Sequence, residues 1–197
     1  MRRTTLDALL TAVGIGLAAI LLIAGGLLTW GYTFTNSQVH NQLAAQKIYF
    51  PPTGSAELTA LPTADRAAIS AYAGQQLVDG QQAQSYADHF IAVHLQAIGG
   101  GKTYSQLSAA ALAQPTNTKL AAQVQTMFRG TTLRGLLLNA YAFWQVGQIA
   151  LIAAIVSFAG AALILILSAF GIAHLRRTPP QAEVLTSLGT HEKITTA

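Results

Sequence analysis

Residues 136–174 read LLLNAYAFWQVGQIALIAAIVSFAGAALILILSAFGIAH, nearly forty positions without one Asp, Glu, Lys or Arg. Within them Ile149 to Ile172 is dense in Ile, Leu, Val, Phe and Ala, and Arg176 and Arg177 close the run. An uncharged apolar run of this length predicts a transmembrane helix, because roughly 20 residues at about 1.5 Å each span the hydrocarbon of a bilayer. Each Leu, Ile or Phe near the centre favours insertion by about 0.3–0.6 kcal/mol. Thirteen such residues or Val lie between Ile149 and Ile172, and no charge opposes them. The expectation is an integral membrane protein.

A second run of the same kind opens the chain. Met1-Arg2-Arg3 precedes an uncharged stretch from Ala8 to Trp30. A secretory signal has the same basic start but an apolar core of only about 7–15 residues before a small-residue cleavage site. Here Gly25-Gly26-Leu27-Leu28 stays apolar past the best cleavage position, so a retained signal anchor is expected. Trp30 and Tyr32 fall where an aromatic belt would sit. Basic residues before the first run and after the second place both termini in the cytoplasm of a two-span plasma-membrane protein. The division is residues 1–7 as a cytoplasmic tail, 8–30 and 147–174 as spans, 31–146 outside, and 175–197 as a Thr- and Ser-rich tail expected to lack a fold of its own.

Composition agrees. Charged residues are 9% of the 197, against roughly 25% in soluble domains. The net charge of +4 does not point to nucleic acid, since the 11 basic residues are scattered and four flank the spans. Cysteine is absent, which excludes disulfides, thiolate zinc sites and cysteine nucleophiles.

The outer region reads as helices throughout, giving an all-α protein whose two transmembrane helices extend into an extracytoplasmic helical bundle. Val39, Leu43 and Lys47 or Ile48 keep helical spacing, so the first span continues outward, loosened at Gly31 to Ser37 and ended by Tyr49-Phe50-Pro51-Pro52. Thr63 is the expected N-cap of a helix carrying Ile69, Ala73 and Leu77 and stopping near Asp79-Gly80. A helix follows from about Gln82 to Gly99, a short one from Thr103 to Pro115, and a fourth from Asn117 to a C-terminal Gly130. From Thr131 a last helix runs through Trp144 into the second span. Ala153, Ser157 and Ala161, with Gly14 and Ala18, form small-residue faces. These should pack the two spans on each other ahead of forming a dimer seam, with homo-oligomerisation as the second option.

Chemistry-bearing motifs are few. Gly99-Gly100-Gly101-Lys102-Thr103 resembles a phosphate loop in its letters, but Gln96 stands where the first glycine belongs and no strand precedes it. A helix C-cap followed by an N-cap explains the same residues. His89 and His94 are five apart, about 140° on a helix, where a metal pair wants a spacing of three or four. His94 lies amid the apolar face and is read as a buried or interface histidine with one hydrogen-bond partner. His89 points away, with Asp88-His89 solvated. Glu57 is the one outer glutamate, and Asp65, Asp79 and Asp88 sit where caps and solvated faces are ordinary.

Arg129 and Arg134 stand before the second span. Arg129 suits a helix C-terminus, and Arg134 could meet lipid phosphates or an acidic partner from the loop. Gln145 and Gln148 lie deeper, and a hydrogen-bond role between the spans is the first expectation for them. The interaction residues to watch are therefore His94, Arg129, Arg134, Gln145 and Gln148.

On Asn41-Gln42-Leu43-Ala44-Ala45-Gln46-Lys47-Ile48, Ala87-Asp88-His89, Gly101-Lys102-Thr103-Tyr104 and Leu133-Arg134-Gly135-Leu136-Leu137-Leu138-Asn139-Ala140, the chain resembles a group of two-span actinobacterial membrane proteins of unassigned function. The resemblance covers most of residues 8–172 and implies architecture only. Some of that group carry the label of aromatic-ring-opening dioxygenase, whose iron needs two histidines and a glutamate. No such set maps onto this chain.

The functional expectation is a non-enzymatic membrane protein, without cofactor or metal, whose outer domain binds a partner protein, lipid or envelope component. A small-molecule-binding or metal-dependent activity outside the membrane is the alternative. A channel is disfavoured, because neither span carries an ionisable residue to line a pore.

Overall fold

A computed structural model describes residues 3–177. Ser187, His191 and the rest of the tail from Thr178 lie outside the described residues, as do Met1 and Arg2. The described chain is all-α, with no strand: α1 (Arg3–Gln46), α2 (Ala56–Thr59), α3 (Thr63–Ser70), α4 (Gly80–Tyr86), a π-helical turn (Ala87–Ile91), α5 (Ala92–Gly99), α6 (Tyr104–Leu112) and α7 (Thr118–Arg177). It divides into two compact units, one of residues up to Trp30 with those from Ala150 onward, the other Gly31–Ile149.

The first unit pairs the N-terminal part of α1 with the C-terminal part of α7. Both helices are long and apolar enough to cross a membrane, and only 11% of the most apolar window of each is buried. Ile23, Leu27, Val156 and Phe170 are each more than half exposed, which no core helix of a soluble protein would tolerate over such a length. What is buried is small: Ala18, Ala154, Ala161 and Ser168. A Cβ on Gly171 would lie 2.7 Å from Thr11 Oγ1, one on Gly14 2.6 Å from Ser168 Oγ, and one on Gly25 2.8 Å from the Phe158 ring. These pairs ascend one segment as they descend the other, so the two run antiparallel. Ala154, Ala161 and Ser168 recur every seven residues, the period of knobs-into-holes packing. The small-residue faces thus meet within one chain, with Ala154 in the seam where Ala153 was expected. Hydroxyls in this unit bond back to their own helix, Thr11 to Asp7 O at 2.8 Å and Ser157 to Ala153 O at 2.8 Å, which satisfies them without water.

The second unit has a core of large side chains. Phe50, Leu43, Ile69, Leu77 and Leu137 are fully buried, joined by Val39, Leu58, Leu61, Ala83 and Ala87. α1 stays helical through Gly31 to Ser37, where loosening was expected, and ends when Lys47 turns left-handed at φ 53°. Gln76 Nε2 donates to the freed Ala44 carbonyl at 2.8 Å. Ile48 and Phe50 then pair by backbone with residues 75–77: Phe50 N–H donates to Gln75 O and Leu77 N–H to Ile48 O, both at 2.9 Å.

That pairing overturns one reading. Ile69, Ala73 and Leu77 do not share a helix, because α3 stops at Ser70 and Gly74 takes a left-handed φ of 73°. Leu77 reaches the core from extended chain instead. Thr63 is the first helical residue rather than the cap, which is Pro62. No helix stops at Asp79-Gly80; Asp79 and Gln82 instead form a capping box that opens α4, near the expected helix start at Gln82. A Cβ on Gly80 would fall 2.2 Å from Trp144 Cβ, so only glycine lets α4 lie against α7 here. Thr103 and Gln106 form a second capping box at α6, and Asn117 Oδ1 caps α7 by accepting Leu120 N–H at 3.0 Å. Gly130 ends nothing: α7 runs through it without interruption for 60 residues.

Candidate functional site

Three of the five expected interaction residues, His94, Arg129 and Arg134, lie where α5 meets the N-terminal third of α7. Gly130 is there for contact, since a Cβ would lie 2.5 Å from Leu95 Cδ2. One turn earlier Met127 packs over Gly99, and Gln123 Nε2 donates to Ile98 O at 2.6 Å. Leu95 forms part of the wall of two cavities, one of about 310 Å³ and one of about 420 Å³.

The smaller cavity holds His94 and Arg129 against Tyr86, Phe90, Ile98 and Leu133. His94 Nδ1–H donates to Phe90 O at 2.7 Å, and its ring lies 4.4 Å from that of Phe90. One hydrogen-bond partner is what the sequence predicted; the ring is half-buried. The imidazole ends an aromatic ladder running Phe50, Tyr86, Phe90, His94. Burial pushes the Tyr86 phenol above its ordinary range. Arg129 is exposed and has no carboxylate partner among the described residues. With α7 continuous, it sits on a helix side and not at a helix end. An aliphatic and aromatic wall with one open guanidinium can hold an apolar body bearing a polar or anionic end.

The larger cavity is walled by Arg134, Thr131 and Met127 of α7, Gln96 of α5, and Lys102, Thr103 and Ser105 from the turn into α6. Arg134 finds an acidic loop partner, one of the two expected kinds: Nη2 donates to Asp88 Oδ1 at 2.7 Å and Nε to Ala87 O at 3.3 Å. The glycine run is a helix cap, as read. Gly100 and Gly101 are left-handed, at φ 57° and 77°, and the amides of Gly100, Gly101 and Lys102 bond Ala97 O, Gln96 O and Gly99 O. Those donors are spent on closing α5 and cannot cradle phosphate.

Gln145 is exposed and Gln148 half-buried, and neither side chain makes a hydrogen bond among the described residues. The bonding role between the spans expected of them is not present.

The sequence missed the π turn and what it presents. Asp88 and His89 are adjacent on it, yet neither is merely solvated: His89 Nδ1–H donates to Asp65 Oδ1 at 2.9 Å while Asp88 holds Arg134. π turns inside α-helices recur at functional sites, but here the visible result is tethering, of α3 through Asp65 and of α7 through Arg134. Asp65 and His89 are 24 positions apart, and no local pattern links them. Among the described residues no three His, Cys, Asp or Glu side chains gather as metal ligands would. No family model, curated protein or solved structure matches this chain.

Proposed function

We propose that the protein is a membrane-anchored binding module. Residues 8–30 and 147–174 span the plasma membrane with both termini in the cytoplasm, and the Gly31–Ile149 unit presents a ligand groove outside it. The observation that carries this reading is the contrast in exposure. Large apolar side chains are turned outward along the two long helices, while the second unit has a packed core of its own. The groove of His94 and Arg129 fits the apolar portion and polar end of a partner protein, lipid or envelope component.

Two measurements test it. In the otherwise cysteine-free chain, Ser85→Cys should react with an impermeant maleimide on intact cells and Ser187→Cys only after permeabilisation; the reverse pattern overturns the topology. A photo-crosslinking residue at Ile98 in native membranes should give a discrete adduct that Arg129→Glu weakens. An Ile98 probe that gives no adduct, or one indifferent to Arg129, removes the groove from the proposal.

A further inference from the structure

The larger cavity, which shares only Leu95 with the groove of the preceding proposal, has a distinctive electrical setting. From Ala92 to Ile149 the second unit contains Lys102, Lys119, Arg129 and Arg134 and no Asp or Glu at all. Every carboxylate of this unit falls between Glu57 and Asp88, and three have assigned work there: Asp79 caps α4, Asp65 holds His89 and Asp88 holds Arg134. Lys102, Lys119 and Arg129 therefore have no carboxylate partner among the described residues, while Arg134 is paired with Asp88, and Lys102 and Arg134 line one cavity of about 420 Å³. That volume lies within the roughly 300–1,000 Å³ of small-molecule sites.

Its chemistry is consistent around the wall. Lys102 has no ion-pair partner among the described residues. Arg134 is held by Nε and Nη2, which leaves its Nη1 group uncommitted and its planar fork fixed in place. Ser105 and Thr131 add hydroxyls, and Ala92, Leu95 and Met127 close the cavity with apolar surface. The start of α6 adds little, because Gln106 N–H is already taken by Thr103 Oγ1 and Thr103 N–H by Gln106 Oε1. An unpaired ammonium, the free Nη1 of a guanidinium already held by Asp88 and two hydroxyls line one cavity, and groups of this kind suit a phosphate oxygen.

We infer that the cavity between Lys102 and Arg134 binds a phosphate group carried on a small organic body, with the body against Leu95 and Met127. Two sources share this chemistry, a soluble phosphate ester and a phospholipid headgroup. Arg134 stands thirteen residues, about 20 Å along a helix, before Gly147, which favours the soluble one. Arg134 orients through Asp88, so Lys102 is the cleaner residue to change.

The experiment uses the full chain in nanodiscs of phosphatidylcholine. Calorimetric titration with glycerol 3-phosphate should show saturable binding that weakens as salt rises. Lys102→Gln should weaken it about tenfold, the effect of losing one charged hydrogen bond. Arg129→Gln, in the neighbouring cavity, should leave it unchanged. In a parallel arm, nanodiscs containing phosphatidic acid are assayed for a Lys102-dependent rise in melting temperature. Binding of the soluble ester supports a soluble source, and a response to phosphatidic acid alone supports a headgroup. No response in either arm, or a response that Lys102→Gln leaves intact, overturns the inference. Because Arg129 is read separately, failure here and failure of the His94 groove are distinguishable.

Discussion

The two units solve the packing problem with opposite materials. In the first, Gly14, Ala18, Gly25, Ala154 and Ala161 bring helix backbones together while Leu, Ile and Phe are left outside. In the second, Phe50, Leu77, Ile69 and Leu137 fill the interior. The difference follows from the surroundings each surface meets. Where water is the solvent, large apolar groups gain by burial, about 25 cal/mol per Å². Where lipid is the solvent that gain vanishes, and close approach of small residues is what remains to hold helices together. On the proposed membrane reading, the exposure pattern along one chain reflects two solvents.

Five changes can break or sharpen that contrast, read by denaturation of the full chain in mild detergent. Leu77→Ala should destabilise the second unit by about 2–5 kcal/mol, the range for a fully buried leucine, while Leu27→Ala, on an exposed position of the first, should shift unfolding by less than about 0.5 kcal/mol. Equal losses would erase the distinction. Gly80→Ala drives a methyl into Trp144 Cβ, close to backbone that cannot turn aside, and should cost about 1–3 kcal/mol. Gly25→Ala meets only the edge of the Phe158 ring, which can swing, so it should cost less than Gly80→Ala. Asp88→Asn weakens a partly exposed pair with Arg134 and should cost on the order of 1 kcal/mol or less, with faster hydrogen exchange across Ala87–Ile91.

The smallest effect is a pH dependence. Burial raises the Tyr86 phenol above its ordinary value of about 10.0, so the folded chain keeps a proton that the unfolded chain releases. Its contribution is complete below about pH 10 and fades as pH climbs from there through the folded value. Tyr86→Phe should remove that alkaline slope; a slope unchanged by the substitution would assign it elsewhere.

Composition and hydropathy made the helical class and both long apolar helices legible, because a charge-free run of such length has few alternatives. Local chemistry located the helix starts at Thr103 and Asn117, each of which carries a cap in its side chain, but it read Asp79-Gly80 as a helix end and Thr63 as a cap. What stayed hidden depends on residues distant in sequence. Gly130 looks like a helix terminator until Leu95 is known to press on it. Leu77 keeps helical phase with Ile69 although it lies on extended chain paired to Ile48. Of the interaction residues, His94 and Arg129 were placed in one cavity by contacts that spacing does not encode, and nothing in the sequence separated them from Gln145 and Gln148.

The π turn at Ala87–Ile91 carries a genetic implication. A wide turn is what remains when one extra residue has been accommodated inside a regular helix. The segment is therefore the place where the chain could lose a codon and reknit an ordinary α-helix without a gap. Such a variant would fold back into register at α5 yet forfeit either the clasp on Asp65 or the one on Arg134, so heritable shortening at this one spot would be silent in helicity and costly in tethering.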